Sequence, residues 1–435
     1  MNKYQNNLRY FAWFRALFTS RFYYPVYTIL FLDIGITIEE FALLNTFWAI
    51  VIVVAEVPSG ALADTWGRKK LLVATSLLMI VEIGSLLVCP IGRTPWLLPL
   101  MVLNRLCSAL AEASASGADE ALAYDSLVLL DKESEWNKVL SKVSRFSSGF
   151  MLVAMLLGGL IYDQKVMGPY LPSEWIIKAP LVLNFITAIL CFFVSLRFFE
   201  CKKERKESFY KEIIGATKLT LETGKWILKS PVILITIIYG LCFDNVIRMF
   251  MTISNEYNRI IEIPIAMMGL VGASMSALGL FTPSIATYLT RKFSFKQNMI
   301  YLFIISTLSF YFLSKAYVYL GLIPSFVLGA CFYILSFMLS YYINKNAPSE
   351  KRATVLSFKG LSFNLAYAFI GMVYASYLKY IKEFHSVSKD KSFIKGLEGF
   401  YVYLIITFII SYFLTNYISK KHGSCCNVLT SSGES

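Results

Sequence analysis

The chain has 435 residues, of which 57% are hydrophobic and 16% charged, with a mean hydropathy of +0.59. A soluble domain carries about 25% charged residues, so this composition excludes an ordinary soluble fold, a disordered chain and a disulfide scaffold, and implies an integral membrane protein. The formal charge of +13 is read as basic residues gathered on the cytoplasmic side of a membrane rather than as a nucleic-acid surface.

Met1–Tyr10 is polar and carries no cleavable-signal pattern. Twelve apolar segments of helical length follow, at about 11–32, 40–62, 71–91, 96–121, 143–163, 175–198, 231–253, 265–289, 298–314, 317–343, 354–378 and 397–418. The ninth is short. Strands of a membrane barrel would alternate apolar and polar residues, whereas a stretch such as Tyr401–Phe413 is apolar almost throughout. The expected fold class is therefore all-α integral membrane, with twelve transmembrane helices.

Basic residues orient the spans. With both termini cytoplasmic, the inner intervals hold Arg68, Lys69 and Lys70, Lys132, Lys138 and Lys142, and a dense group that includes Lys202, Lys203, Arg205 and Lys206. The outer loops hold few, apart from the interval between Lys379 and Lys395. The longest polar interval lies at the middle, and its patterned part, Tyr210–Leu228, reads as an amphipathic helix on the membrane surface. The expected organisation is an N-terminal six-helix bundle (1–198), a cytoplasmic linker (199–230), a C-terminal six-helix bundle (231–418) and a cytoplasmic tail (419–435). Two equal halves of this kind are the mark of parallel repeats.

Between the second and third segments stands Gly60–Ala61–Leu62–Ala63–Asp64–Thr65–Trp66–Gly67–Arg68–Lys69–Lys70. It resembles the loop signature of the major facilitator superfamily, G-x-L-x-D-x-x-G-R-K/R-x, and lies where that family places it. The preceding Glu56–Val57–Pro58–Ser59 resembles the lead-in of many bacterial members, and Thr290–Arg291–Lys292 keeps basic residues at the equivalent place in the second half. The physical reading agrees. Glycines let helices end tightly and approach, an acid near a helix N-terminus is favoured, and an arginine can bind a carboxylate with a fork. The resemblance implies a loop that latches two halves together in the outward-facing state. Gly60, Asp64, Gly67 and Arg68 would form it, with Asp119, Glu120 and Asp125 as the acidic partners available at the inner end of span four.

A charge near mid-bilayer costs about 2.5–3.5 kcal/mol on insertion scales, so each one calls for a reason. Span four carries Arg105, Glu112 and Asp119 at seven-residue steps, bordered by Ser108 and Ser116. Such a stripe drifts only about 20° per step and must face other helices or a wet cavity. Arg105 resembles the arginine of the family's span-four motif, although Ala109 stands where a glycine is usual. Span seven carries Asp244 and Arg248 one turn apart. They read either as an internal ion pair or as a site where a solute anion or a proton competes for one partner. Glu56 and Glu82 each read as a structural acid or a coupling site. Arg15, Arg145, Lys178, Arg197 and Lys359 lie nearer span ends and are expected to snorkel. Span one adds Arg21, Tyr23, Tyr24 and Tyr27, and span ten adds Tyr333, with Tyr341 and Tyr342 in an interfacial belt. The resemblance implies a cavity lined by spans one, four, seven and ten. The expected cavity residues are Arg21, Tyr24, Arg105, Glu112, Asp244, Arg248 and Tyr333, with Glu56, Glu112 and Asp244 as the candidate proton carriers.

These features lead to one expected activity: secondary transport of a small organic solute, coupled to protons, by alternating access of two bundles. Three arginines suit an organic anion or a siderophore-like metabolite. The acids and tyrosines suit an amphiphilic or cationic compound, which keeps a multidrug efflux antiporter open. Against efflux, Ala154–Met155 stands before Gly158–Gly159 where exporters of the family carry Gly-Pro. No phosphate-binding loop implies ATP. With only His385 and His422, neither a metal centre nor an integral-membrane enzyme is expected, and a transport-dead sensor is the remaining alternative. No cofactor, metal or nucleic acid is expected. The expected partners are solute, protons and membrane lipids, and the expected state is a monomer in a bacterial inner membrane. Most of the eight cysteines read as core filler. Cys425 and Cys426 read as lipidation sites or as an unstructured tail.

Overall fold

A computed structural model describes residues 3–201, 209–385 and 388–422. The side chains of Asp64, His385 and His422 lie outside the described residues, as do Lys202, Lys203, Arg205 and Lys206 of the linker and Cys425 and Cys426 of the tail. Among the described residues the chain is helical, with no strand. In order the helices are α1 (Lys3–Thr19), α2 (Tyr27–Ile34), α3 (Ile38–Thr65), α4 (Arg68–Val88), α5 (Leu97–Ala115), α6 (Ala118–Val128), α7 (Trp136–Tyr162), the single turn α8 (Gln164–Met167) and α9 (Ser173–Leu196). There follow α10 (Phe209–Leu228), α11 (Pro231–Ile260), α12 (Met268–Lys292), α13 (Phe295–Leu313), α14 (Leu322–Asn346), α15 (Ser349–His385) and α16 (Lys389–His422). Among the described residues ten helices or helix pairs are long and apolar enough to cross a membrane, and the chain is an integral multi-pass membrane protein. The other two expected spans are the first, which is broken, and α13, whose 19 residues reach about 28 Å at 1.5 Å per residue.

Two of the expected spans are interrupted. The first, expected as one helix over 11–32, divides into α1, a 3-10 turn at Tyr24–Val26 and α2. Pro25 has no N–H to continue the ladder, and the freed backbone is satisfied from α9. Asn184 Oδ1 accepts from Phe22 N at 2.7 Å, and Asn184 Nδ2 donates to Ser20 O at 3.4 Å. Non-helical backbone survives at membrane depth only with such partners. On the opposite side the Phe22 carbonyl lies against Gly158 of α7, where a Cβ would collide with backbone. The fourth span, expected over 96–121, breaks at Ser116 and Gly117 (φ 77°) into α5 and α6. The seven-residue stripe therefore holds for Arg105 and Glu112 and ends there, since Asp119 belongs to a separate helix.

The chain forms two compact units. One holds the sequence to Thr217 together with Pro264–Ala273, and the other holds Lys218–Ile263 and the sequence from Ser274 onward. In the first, α4 packs on α5 and α9, and α3 packs on α5. Its core includes Phe11, Phe14, Leu71, Leu72, Leu122 and Phe198, all buried. In the second, α11 is the central helix and packs on α14, α15 and α16. Its span is 72% buried, around Tyr239, Phe243, Phe250 and Tyr257. Phe303 and Phe408 stack at 4.0 Å between α13 and α16. Capping boxes at Thr37/Glu40 and Ser294/Gln297 fix the starts of α3 and α13.

Candidate functional site

The signature loop sits at the turn from α3 to α4. Arg68 opens α4, and its Nη1 pairs with the Asp125 carboxylate of α6 and donates to Ala121 O at 2.8 Å. Gly67 precedes it at φ 106°, a backbone that side chains rarely adopt. The α4 N-terminus is closed by a residue that the motif does not contain. Glu200, just beyond α9, accepts from Arg68 N at 3.2 Å and Lys69 N at 2.9 Å, the favourable place for a carboxylate. Gly60 has open space where a Cβ would stand. The close approach expected of two glycines therefore belongs to Gly67 alone.

The acids expected to face Arg68 are shared out. Asp125 meets Arg68, while Asp119 and Glu120 bind Arg15 of α1, the former at 2.6 Å. Arg15 had been expected to snorkel. It makes this two-acid contact instead, because the break at Gly117 turns Asp119 into the unit, where it is 1% exposed. Asn7 of α1 completes the clasp. Its Nδ2 donates to Ser126 Oγ at 2.8 Å and to Phe199 O at 2.9 Å, and its Oδ1 accepts from Phe199 N at 2.8 Å. Cys201 lies 3.4 Å from the Ser126 hydroxyl, and burial pushes its thiol up from the ordinary range. The root of the linker is thus tied to α1, α4 and α6.

Deeper in the first unit, Arg21 (4% exposed) pairs with Glu82 (0%) at 3.2 Å, and Tyr23 OH donates to the same carboxylate at 3.4 Å. Arg21 is thereby neutralised within the unit, and Glu82 gains a defined partner. Asn104 links this pair to Arg105: its Nδ2 donates to Glu82 O at 2.7 Å, and its Oδ1 accepts from Arg105 Nε at 2.7 Å. The Arg105 guanidinium lies 5.4 Å from the Tyr27 ring centre and 4.8 Å from that of Phe31, and it donates to Tyr27 OH. Tyr27 in turn donates to Asn45 Oδ1 at 2.7 Å. Arg105 is 3% exposed, its Nη2 has no hydrogen-bond partner, and no carboxylate pairs with it among the described residues. Glu112 and Tyr24 are exposed on this unit and Glu56 is half-buried. Neither acid makes an ion pair among the described residues.

In the second unit Asp244 pairs with Arg248 one turn on. Arg248 also donates to Asn364 Oδ1 and to Phe363 O, both at 2.9 Å, and lies 4.9 Å over the Tyr367 ring. The pair expected from spacing is therefore embedded in α15, which spacing did not indicate. Tyr333 of α14 is half-buried beside Gly279 of α12. Asn245 Nδ2 donates to Tyr403 OH at 2.8 Å. No group of three metal-ligating side chains occurs among the described residues.

The sequence profile of the Major Facilitator Superfamily matches residues 10–372. The chain belongs to the major facilitator superfamily. Solved members share its fold at low identity. A mutant of the nucleoside transporter NupG superposes with a TM-score of 0.72 at 13% identity, over 96% of this chain and 100% of its own. A D-xylose–proton symporter gives 0.60 at 13% identity, over 94% and 95%. The xylose transporter XylE from E. coli gives 0.59 at 14% identity, over 96% and 99%. A comparison with curated protein sequences gives no significant match. The protein is thus a superfamily member with that family's transporter fold.

Proposed function

We propose that this superfamily member is a secondary transporter that moves a small organic anion by alternating access, driven by protons. The observation that carries the reading is Arg105: a guanidinium 3% exposed inside a span whose Nη2 has no hydrogen-bond partner and which forms no ion pair among the described residues. A buried cation of this kind is costly, and an anionic group of the solute would offset that cost. Tyr24, Arg248 and Tyr333 are proposed to contact the solute, with Asp244, Glu112 and Glu56 as proton carriers. The loop of Gly60, Asp64, Gly67 and Arg68, with Asp119, Glu120 and Asp125, is proposed as the gate. The proposed organisation keeps bundles at 1–198 and 231–418, a linker at 199–230 and a tail at 419–435. Both termini are placed in the cytoplasm of a bacterium, and the working unit is taken as a monomer.

A second reading is favoured by Glu112, an exposed acid without an ion-pair partner among the described residues, which suits a lipophilic cation in an efflux antiporter. Thermal unfolding of the purified protein in detergent separates the two. The panel holds organic acids, nucleosides, sugars, amino acids and lipophilic cations. Saturation at about 100 times Kd stabilises by about 2.7 kcal/mol. Selective stabilisation by acids is expected, and selective stabilisation by lipophilic cations would replace the first reading with the second.

A further inference from the structure

Lys359 lies in the span formed by Thr354–Glu383 of α15. A lysine near the start of a span ordinarily runs its stem toward the near water, helped by the backward tilt of the Cα–Cβ bond. Lys359 packs against an aromatic ring. Its ammonium stands 5.6 Å from the ring centre of Phe363, one turn further along the helix and deeper into the span. It makes no hydrogen bond or ion pair among the described residues.

Phe363 connects it to the ionic group of α11. The ring of Phe363 lies under Lys359, and its carbonyl accepts from Arg248. Lys359, Phe363 and Tyr367 repeat at four-residue steps and form one stripe of α15, and the Arg248 guanidinium rests over Tyr367. Asp244 pairs with Arg248 and makes no ion pair with Lys359 among the described residues. The cluster therefore holds two cations and one acid. Two of its donors are idle among the described residues: the Lys359 ammonium and Arg248 Nε, which is buried without a hydrogen-bond partner. An uncompensated charge inside a span is retained against a cost, and idle donors of this kind fit an acceptor group brought by a ligand.

We infer that Lys359 and Arg248 form a binding site for the carboxylate group of an organic acid, with Asp244 competing for Arg248 when the site is empty. The inference rests on the transport reading above and names its solute class. It places a binding residue on α15, outside the spans expected to line the cavity.

The test uses the full-length protein in detergent at neutral pH and constant ionic strength. Acetate, benzoate and succinate are each compared with acetamide, benzamide and succinamide by thermal unfolding. The acids should raise the midpoint by at least about 2 °C over their amides. Lys359→Met should lose that difference, and its unliganded midpoint should equal or exceed the wild type's because an uncompensated charge is gone. Lys359→Arg should retain the difference. Should Lys359→Met fail to fold, Asp244→Asn serves as the second variant: it removes the internal competitor and should enlarge the acid preference. The inference is overturned if the wild type treats acids and amides alike, if Lys359→Met keeps the preference, or if Asp244→Asn weakens it. The readout is binding to the folded protein, so it stands apart from the transport reading, which fails separately if bound acids are never moved across a membrane.

Discussion

Arg21, in the break of the first span, and Glu82 of α4 are both buried, so removing either strands the other. Breaking such a pair by one side costs about 3–5 kcal/mol, while replacing both with apolar groups is often neutral. Glu82→Gln should therefore lower thermal stability sharply, and Arg21→Met with Glu82→Leu should recover most of the loss. Equal losses in the single and double variants would show that the two side chains are not coupled. Cys201 gives a second test at this scale. Its thiol is 6% exposed and its pKa is raised, so at neutral pH it holds less thiolate than a free cysteine. Maleimide labelling should be slow in the wild type. It should quicken in Asn7→Ala, which releases Phe199 and Ser126. Rapid labelling of the wild type would contradict the clasp.

Between helices, two glycines mark where the fold tolerates no side chain. Gly67→Ala forces a φ of 106° on a residue with a Cβ and places that Cβ 2.7 Å from Glu200 Oε2. The strain is of order 1–3 kcal/mol, and the displaced carboxylate uncaps α4, so a lowered unfolding midpoint is expected. Gly158→Ala meets the Phe22 carbonyl, which is backbone and cannot swing aside. The expected result is loss of folded protein on size-exclusion chromatography, and a wild-type profile would refute the close packing of α7 on the broken first span.

These contacts show what a sequence displays and what it hides. Span positions were legible because about 20 apolar residues are needed to cross a bilayer, a local property of the chain. The break at Pro25 was not, because its backbone is rescued by Asn184, 162 residues distant from Phe22. The loop partner of Arg68 was legible as one of three acids, since the motif names the arginine. Glu200 and Arg15 were not, because each acts through residues more than 100 positions away. The contact of Lys359 with Phe363 was not legible, because spacing fixes a position along a helix and not the direction of a flexible stem.

At the scale of the whole molecule, the first unit holds buried Arg21 and Arg105 against buried Glu82, and the second holds Arg248 and Lys359 against Asp244. Each cluster so leaves one cation, Arg105 in the first and Lys359 in the second, without an ion-pair partner among the described residues. That shared feature is the basis for reading the cargo as an anion, and the acids beside it for reading the driving ion as a proton. Arg105→Lys keeps the charge but loses the planar fork. It should lower transport at least about tenfold while leaving the protein folded, as judged by its unfolding midpoint.

The most direct test is flux. The protein is reconstituted in proteoliposomes, with labelled organic acids and a lipophilic cation supplied outside under an imposed pH gradient. The account predicts gradient-driven accumulation of an acid that ceases with a protonophore and in Asp244→Asn. Accumulation that ignores the gradient, or movement of the cation alone, would contradict it.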